Sequence, residues 1–237
     1  MSMPLPPPPP SDPNFAARPG GPPPGYTPYV SGATGSVLPS KGLSKAMIVL
    51  FWCTTAAAAF AGFALYSRKG VWDDFANGNA SFSDLDNSDS LVGTSIVLQI
   101  ALALASAIVC AVWSNRIANN AKARGALGVR PGLAAGGWFI PIGWLWVGFG
   151  QLKKSVTEVG GRSPSLGRWQ ALFILQAVVG WLISRFGNFE TVGDSSELSD
   201  RLRNQGLIGL GGAAVYVVTT IFAMKAAREI DTAVSGA

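Results

Sequence analysis

Residues 131–152 read PGLAAGGWFIPIGWLWVGFGQL, and the fold turns on how this stretch meets a bilayer. Its 22 residues carry no charge, and about 20 apolar residues are enough to cross the hydrocarbon core. Yet Gly132, Gly136, Gly137, Gly143, Gly148 and Gly150 run through it, and Pro141 stands near its centre. Glycine is a poor helix former, and proline removes a backbone donor and clashes with the preceding turn. Basic residues crowd both flanks: Arg116, Lys122, Arg124 and Arg130 before it, Lys153, Lys154, Arg162 and Arg168 after it. The pattern predicts a broken segment that enters the membrane and returns to the side it left. The alternatives are a helix lying flat in the interface and a complete fifth crossing.

The composition around this stretch is that of a membrane protein. Of 237 residues, 49% are hydrophobic and only 13% charged, against about 25% charged in ordinary soluble domains. The net charge of +5 comes from short basic clusters beside apolar runs. Anionic headgroups explain such clusters, and no nucleic acid is needed as a partner. The absence of histidine removes the commonest metal ligand and proton shuttle. Cys53 and Cys110 both sit inside apolar runs, as packing thiols do.

Residues 1–40 hold 13 of the 16 prolines, so a disordered cytoplasmic tail of polyproline II character is expected there. A helical membrane domain is expected over residues 41–228, with a short C-terminal tail at 229–237. Its spans are Ala46–Tyr66, 93–113, 169–186 and 205–224, separated by loops rich in Asp, Asn and Ser at 67–90 and 187–204. The helix after the second span should continue through SNRIANNAKARG. Small residues such as Ala58, Gly62 and the run GLIGLGGAA invite close helix packing.

Charge selects between four crossings and five, because Lys and Arg are retained on the cytoplasmic side. With four crossings and both termini inside, 13 basic residues lie inside and 5 outside; with five the division is 10 to 8. The expected fold is therefore an all-α integral membrane protein with four transmembrane helices around a Gly/Pro-broken segment. Trp138, Trp144 and Trp146, with Trp113 and Trp169, are expected as an aromatic belt at the cytoplasmic interface.

At Trp113, Arg116, Asn120, Pro131-Gly132 and Gly137-Trp138-Phe139-Ile140-Pro141 the chain resembles domain of unknown function 4328, a family of uncharacterised multi-pass membrane proteins frequent in actinobacteria. The similarity extends over roughly residues 46–224. Where the family usually carries an Asn shortly after the central proline and a second proline some seven residues on, this chain has Gly143-Trp144 and Gly148. The resemblance implies a fold and a bacterial plasma membrane, and it brings no activity, cofactor or metal.

The chemistry in the spans is polar but uncharged. Thr54, Thr55, Ser106, Ser184, Thr219 and Thr220 accompany Gln99 and Gln176, the pair most suited to line a solute path or to bond each other across helices. Asp84-Leu85-Asp86-Asn87-Ser88-Asp89 lacks the Gly and Glu of a calcium loop. No residues present a nucleophile beside a base, so no catalytic residues are assigned. Arg116 and Asn120, four apart on one helix face, are candidates to hold an anionic headgroup or to cap the broken turn. Trp138, Pro141 and Gly143 are candidates to shape that turn or a partner site. Together these features point to a non-enzymatic interaction or scaffold protein, with the proline-rich tail either a solubilising spacer or a recruiting ligand for a protein partner. The alternative is a small-solute or ion pathway around Gly136–Gly150.

Overall fold

The computed structural model describes residues 36–140, 143–186 and 195–236. These residues form helices and no strand: α1 Lys41–Ala76, α2 Phe82–Ala123, α3 Pro131–Gly136, α4 Val147–Thr157, α5 Pro164–Phe186 and α6 Ser195–Ser235, with one 3-10 turn at Gly143–Leu145. Four of them, α1, α2, α5 and α6, are long and apolar enough to cross a membrane. This is a multi-pass membrane fold. Of the tail expected at 1–40, residues 1–35 lie outside the described residues, as does Pro141.

At 36 and 42 residues, α1 and α2 are far longer than a bilayer requires. They continue through most of the polar segment expected as a loop at 67–90, leaving only residues 77–81 between them. Local chemistry makes this helical. Ser81 and Asp84 form a reciprocal capping box that starts α2, while Arg68 reaches Asp89 at 2.7 Å and Lys69 pairs with Asp73 one turn on. Gly78 takes the left-handed conformation, φ +74°, that reverses the chain. Helix α6 likewise runs on to Ser235 through the residues expected as a C-terminal tail, and Ile230, Asp231 and Val234 are buried there.

The four long helices form an open arc rather than a closed bundle. In order around it they run α2, α1, α6, α5, and no Cα of α2 comes within 8 Å of α5 among the described residues. Burial agrees with this order: 44% and 33% of the apolar windows of α1 and α6 are buried, against 22% and 11% for α2 and α5. The α1–α6 contact is made by glycine. A Cβ on Gly62 would stand 2.8 Å from the Gly209 carbonyl oxygen, and one on Gly206 would stand 2.7 Å from Tyr66 Cα. Backbone cannot retreat as a side chain can. Gly62→Val is therefore expected to cost about 1–3 kcal/mol through overpacking. Gly70→Ala, exposed beyond the same span with nothing within 4 Å, should instead gain about 0.5–1 kcal/mol of helix stability. Unfolding by SDS titration in mixed micelles reads both, and equal midpoints for the two variants would contradict the close approach.

Residues 131–152 fold as a helical hairpin. Its two arms are joined at their base, where the Gly128 N–H donates to Glu158 Oε2 at 2.8 Å and the Arg130 N–H to Gln151 Oε1 at 2.9 Å. Near its tip the arms are closest, with a Cβ on Gly137 only 2.8 Å from the Gly148 nitrogen. The stretch thus returns to the end of the arc it left. There it bridges the two outer helices, resting on α2 along both arms and reaching α5 through Gln170, whose Nε2 donates to the Leu145 carbonyl at 2.9 Å.

Candidate functional site

The site is where the hairpin closes one end of the gap between α2 and α5. Trp138, at the end of the first arm, is 7% exposed and sits among rings from the second arm and from α5. Phe149 meets it edge-on at 5.1 Å, Trp169 stacks at 6.1 Å and Phe173 stands edge-on at 6.1 Å. Its indole N–H donates to Ser114 Oγ on α2 at 3.0 Å. Apolar contact alone would tolerate several orientations. Stacking geometry together with a satisfied N–H fixes one.

The aromatic belt is corrected by this arrangement. Trp113, Trp138 and Trp169 are core residues, because each ring finds protein to pack against and the indole N–H groups of Trp113 and Trp138 have buried acceptors. Trp146, 53% exposed, keeps an outward position, and the side chain of Trp144 lies outside the described residues. Gly143 opens the 3-10 turn at the tip, where an added Cβ would meet Ile140 Cγ2 at 2.7 Å.

Above the Trp138 floor lies a cleft of about 250 Å³, walled by Phe51 and Thr54 of α1, Ala103 to Cys110 of α2, Trp169 to Ala177 of α5, and Tyr216, Thr219 and Thr220 of α6. Among the described residues no Asp, Glu, Lys or Arg lines it. Its hydroxyls are largely occupied: Thr54 and Thr219 donate to the carbonyls four residues back at 2.8 and 2.7 Å, as Ser106 does at 2.8 Å. Thr54 and Ser106 also meet at 3.1 Å, and Thr55 and Thr220 at 2.8 Å. Both cysteines are free, Cys110 buried against the cleft and Cys53 exposed.

The structure brings Gln99 and Gln176 to this region without a hydrogen bond between them among the described residues, and no Cα of α2 comes within 8 Å of α5. Gln99 stands beside Tyr216, a cleft residue with no part in the sequence-based expectation. Gln176 lines the cleft itself, half-buried, with no hydrogen-bond partner among the described residues.

Arg116 and Asn120 share a helix but not a role. Asn120, 1% exposed, faces inward, where its amide takes the Leu38 N–H at 3.0 Å and donates to the Leu38 carbonyl at 2.8 Å. A buried residue of this kind does not meet a headgroup. It clamps the chain entering α1. Arg116 instead lies along a shallow groove with Ile108, Val112, Ala135 and Phe139, outside the arc between α2 and the hairpin.

Two carboxylates secure the same end. Glu229, past the apolar part of α6, accepts from Ser163 Oγ at 2.9 Å, Ser165 N at 3.1 Å and Ser165 Oγ at 2.7 Å, and so holds the start of α5, which Pro164 opens. Partial burial works against its charge, but the bonds from Ser165 and Ser163 and the nearby Lys225 hold the carboxyl below its usual range. Asp231, 4% exposed, accepts from Ser40 Oγ at 2.6 Å and from Trp113 Nε1 at 3.2 Å. Among the described residues no cluster of His, Cys, Asp and Glu is grouped to hold a metal.

A family model described as a domain of unknown function (DUF4328) matches residues 76–232. The chain belongs to that family. No curated protein and no solved structure matches it. The DUF4328 match begins at the last residue of α1 and runs past Asp231. It therefore starts later and ends later than the similarity read over 46–224, and it takes in the hairpin, the aromatic cluster and both carboxylates.

Proposed function

We propose that this is a non-enzymatic interaction protein of an actinobacterial plasma membrane. Its basic end, both termini and the proline-rich tail face the cytoplasm, and that end meets anionic headgroups. The observation that carries the reading is the separation of charge along the fold. Among the described residues, twelve Lys and Arg but only three carboxylates (Glu158, Glu229 and Asp231) belong to the end where α1 begins and α6 finishes. All three carboxylates accept hydrogen bonds there from backbone, hydroxyl or indole donors. The ion pairs among the described residues, Arg68–Asp89, Lys69–Asp73 and Arg201–Glu197, belong to the opposite end. Cations such as Arg116 and Arg130, in no ion pair among the described residues, together with exposed Phe139, Ile140 and Trp146 suit an interface of phosphate above and hydrocarbon below.

The test is lipid selectivity in nanodiscs that mix anionic and zwitterionic phospholipid. A surface cation near an anionic leaflet is worth about 1 kcal/mol, so Arg116→Gln should lower the preference for anionic lipid roughly fivefold. An unchanged preference in the Arg116→Gln, Arg130→Gln double variant would refute the headgroup reading. Deleting residues 1–35 should abolish co-purification of a cytoplasmic partner, and partners retained without the tail would remove it from the proposal.

The second reading, a small-solute or ion pathway around Gly136–Gly150, is favoured by one feature. The broken segment caps a chamber at membrane depth, as broken helices do at transport sites. Flux through liposomes that Gly143→Leu abolishes would replace the interaction reading with this one.

A further inference from the structure

We infer that the cleft between α2 and α5 is a binding site for an isoprenoid quinone, its ring seated on the Trp138 floor and its tail leaving sideways into the bilayer. Five observations converge on that class of ligand. The gap between α2 and α5 provides an exit at membrane depth, so the occupant arrives from the lipid phase and keeps a hydrocarbon chain there. Among the described residues no charged side chain lines the chamber, which disfavours a phosphate or carboxylate head and suits a neutral one. Trp138, Trp169 and Phe173 present ring faces and edges to the cleft, a wall that rewards a flat aromatic head over a flexible chain. The volume of about 250 Å³ accommodates a one- or two-ring quinone.

The fifth observation is the hydrogen-bonding inventory. Gln176 is the cleft amide with no partner among the described residues, and in hydrocarbon such a group is costly until something meets it. A quinone carbonyl accepts from its Nε2. Thr219 has committed its proton to a backbone carbonyl, and Thr54 and Ser106 divide theirs between backbone carbonyls and each other, so what the three can still offer the cleft is lone pairs. Those lone pairs suit the hydroxyls of the quinol form. The lining therefore serves both oxidation states, and binding requires no proton to move. The site is independent of the basic end and of the headgroup reading.

The probe is a naphthoquinone carrying two isoprene units, titrated into nanodiscs holding the full chain, with tryptophan fluorescence and thermal unfolding as readouts. Trp138 and Trp169 wall the site, so saturable quenching is expected, accompanied by a rise in melting temperature that grows with ligand as binding to the native state requires. Gln176→Leu should weaken binding roughly five- to tenfold, the worth of about one hydrogen bond. Ala107→Phe should abolish it by filling the cleft, and Gln176→Leu carries the test alone if that variant does not fold. A saturated straight-chain alcohol of equal length should neither saturate nor compete. The inference is overturned if quenching rises linearly with quinone content and is the same in Gln176→Leu, or if the ringless alcohol displaces the quinone.

Discussion

Replacing Trp138 with alanine is expected to cost about 3–5 kcal/mol, the range for removing a buried aromatic side chain, and to release the hairpin from the helices it bridges. The ring is the one element that touches both arms and α5 while bonding α2 through Ser114. Gly148 shows how closely the second arm is fitted to it, since a Cβ there would stand 2.8 Å from Trp138 Cε2. A ring held by Phe149, Trp169 and Phe173 has little room to withdraw, so Gly148→Ala should cost about 1–3 kcal/mol on its own. The two changes should not add. With the indole gone the added methyl has space, and the double variant should be no less stable than Trp138→Ala alone. SDS titration measures the stability, and tryptic cleavage after exposed Lys153 and Lys154 in α4 reports the hairpin. Additive costs would mean that Trp138 and Gly148 do not meet, and cleavage at the wild-type rate would mean that the hairpin is held by something else.

Much of this was legible in the sequence, and the misreadings share a physical cause. The four long helices follow from apolar runs whose length matches a bilayer, and the hairpin follows from glycines and a proline that a straight helix would not keep. The bias of Lys and Arg between loops anticipated that both flanks of the hairpin stand at one end. Helix boundaries in water were harder. Hydropathy stops at Tyr66 and Met224, whereas helices stop where caps and packing fail, and salt bridges carry α1 to Ala76. The tryptophans were placed at the interface because that is where indoles go when nothing else holds them. Here, acceptors on distant parts of the chain do hold them, and pairing at such separations leaves no local pattern. Asn120 was read on a helix face with Arg116 for the same reason: four residues apart sets neighbours, but it does not say which of them turns inward. Asp231 went unnoticed in an apparently polar tail. A signal was present, since Ala223, Ala227, Ile230 and Val234 recur at spacings of four, three and four, an apolar stripe that continues α6 to its end.

That stripe places Asp231 in a network whose loss should be nearly as damaging as the loss of Trp138. Donors and acceptors run in one direction: the Asn120 amide donates to Ser235 Oγ at 3.0 Å, Ser235 and Ser40 meet at 2.9 Å, and Ser40 donates to Asp231 at 2.6 Å. Trp113 Nε1 enters the same Asp231 oxygen from α2. One carboxylate therefore joins the start of α1 to the ends of α2 and α6. Asp231→Leu is expected to leave the Ser40 hydroxyl and the Trp113 indole without an acceptor, at about 1–3 kcal/mol for each. Asp231→Asn keeps an oxygen in place and should lose only the part of the bond strength that charge supplies. Ser40→Ala removes one donor, so its cost combined with Asp231→Leu should fall short of the sum by about 0.5–3 kcal/mol. A second readout separates this network from general packing. The Leu38 backbone is held only one link away by Asn120, so Asp231→Leu should speed cleavage after Lys41 while leaving Lys153 and Lys154 at their wild-type rates. Equal acceleration at all three would show a bundle loosened throughout, and Asp231 would then be a packing residue rather than the anchor of the chain's entry into α1.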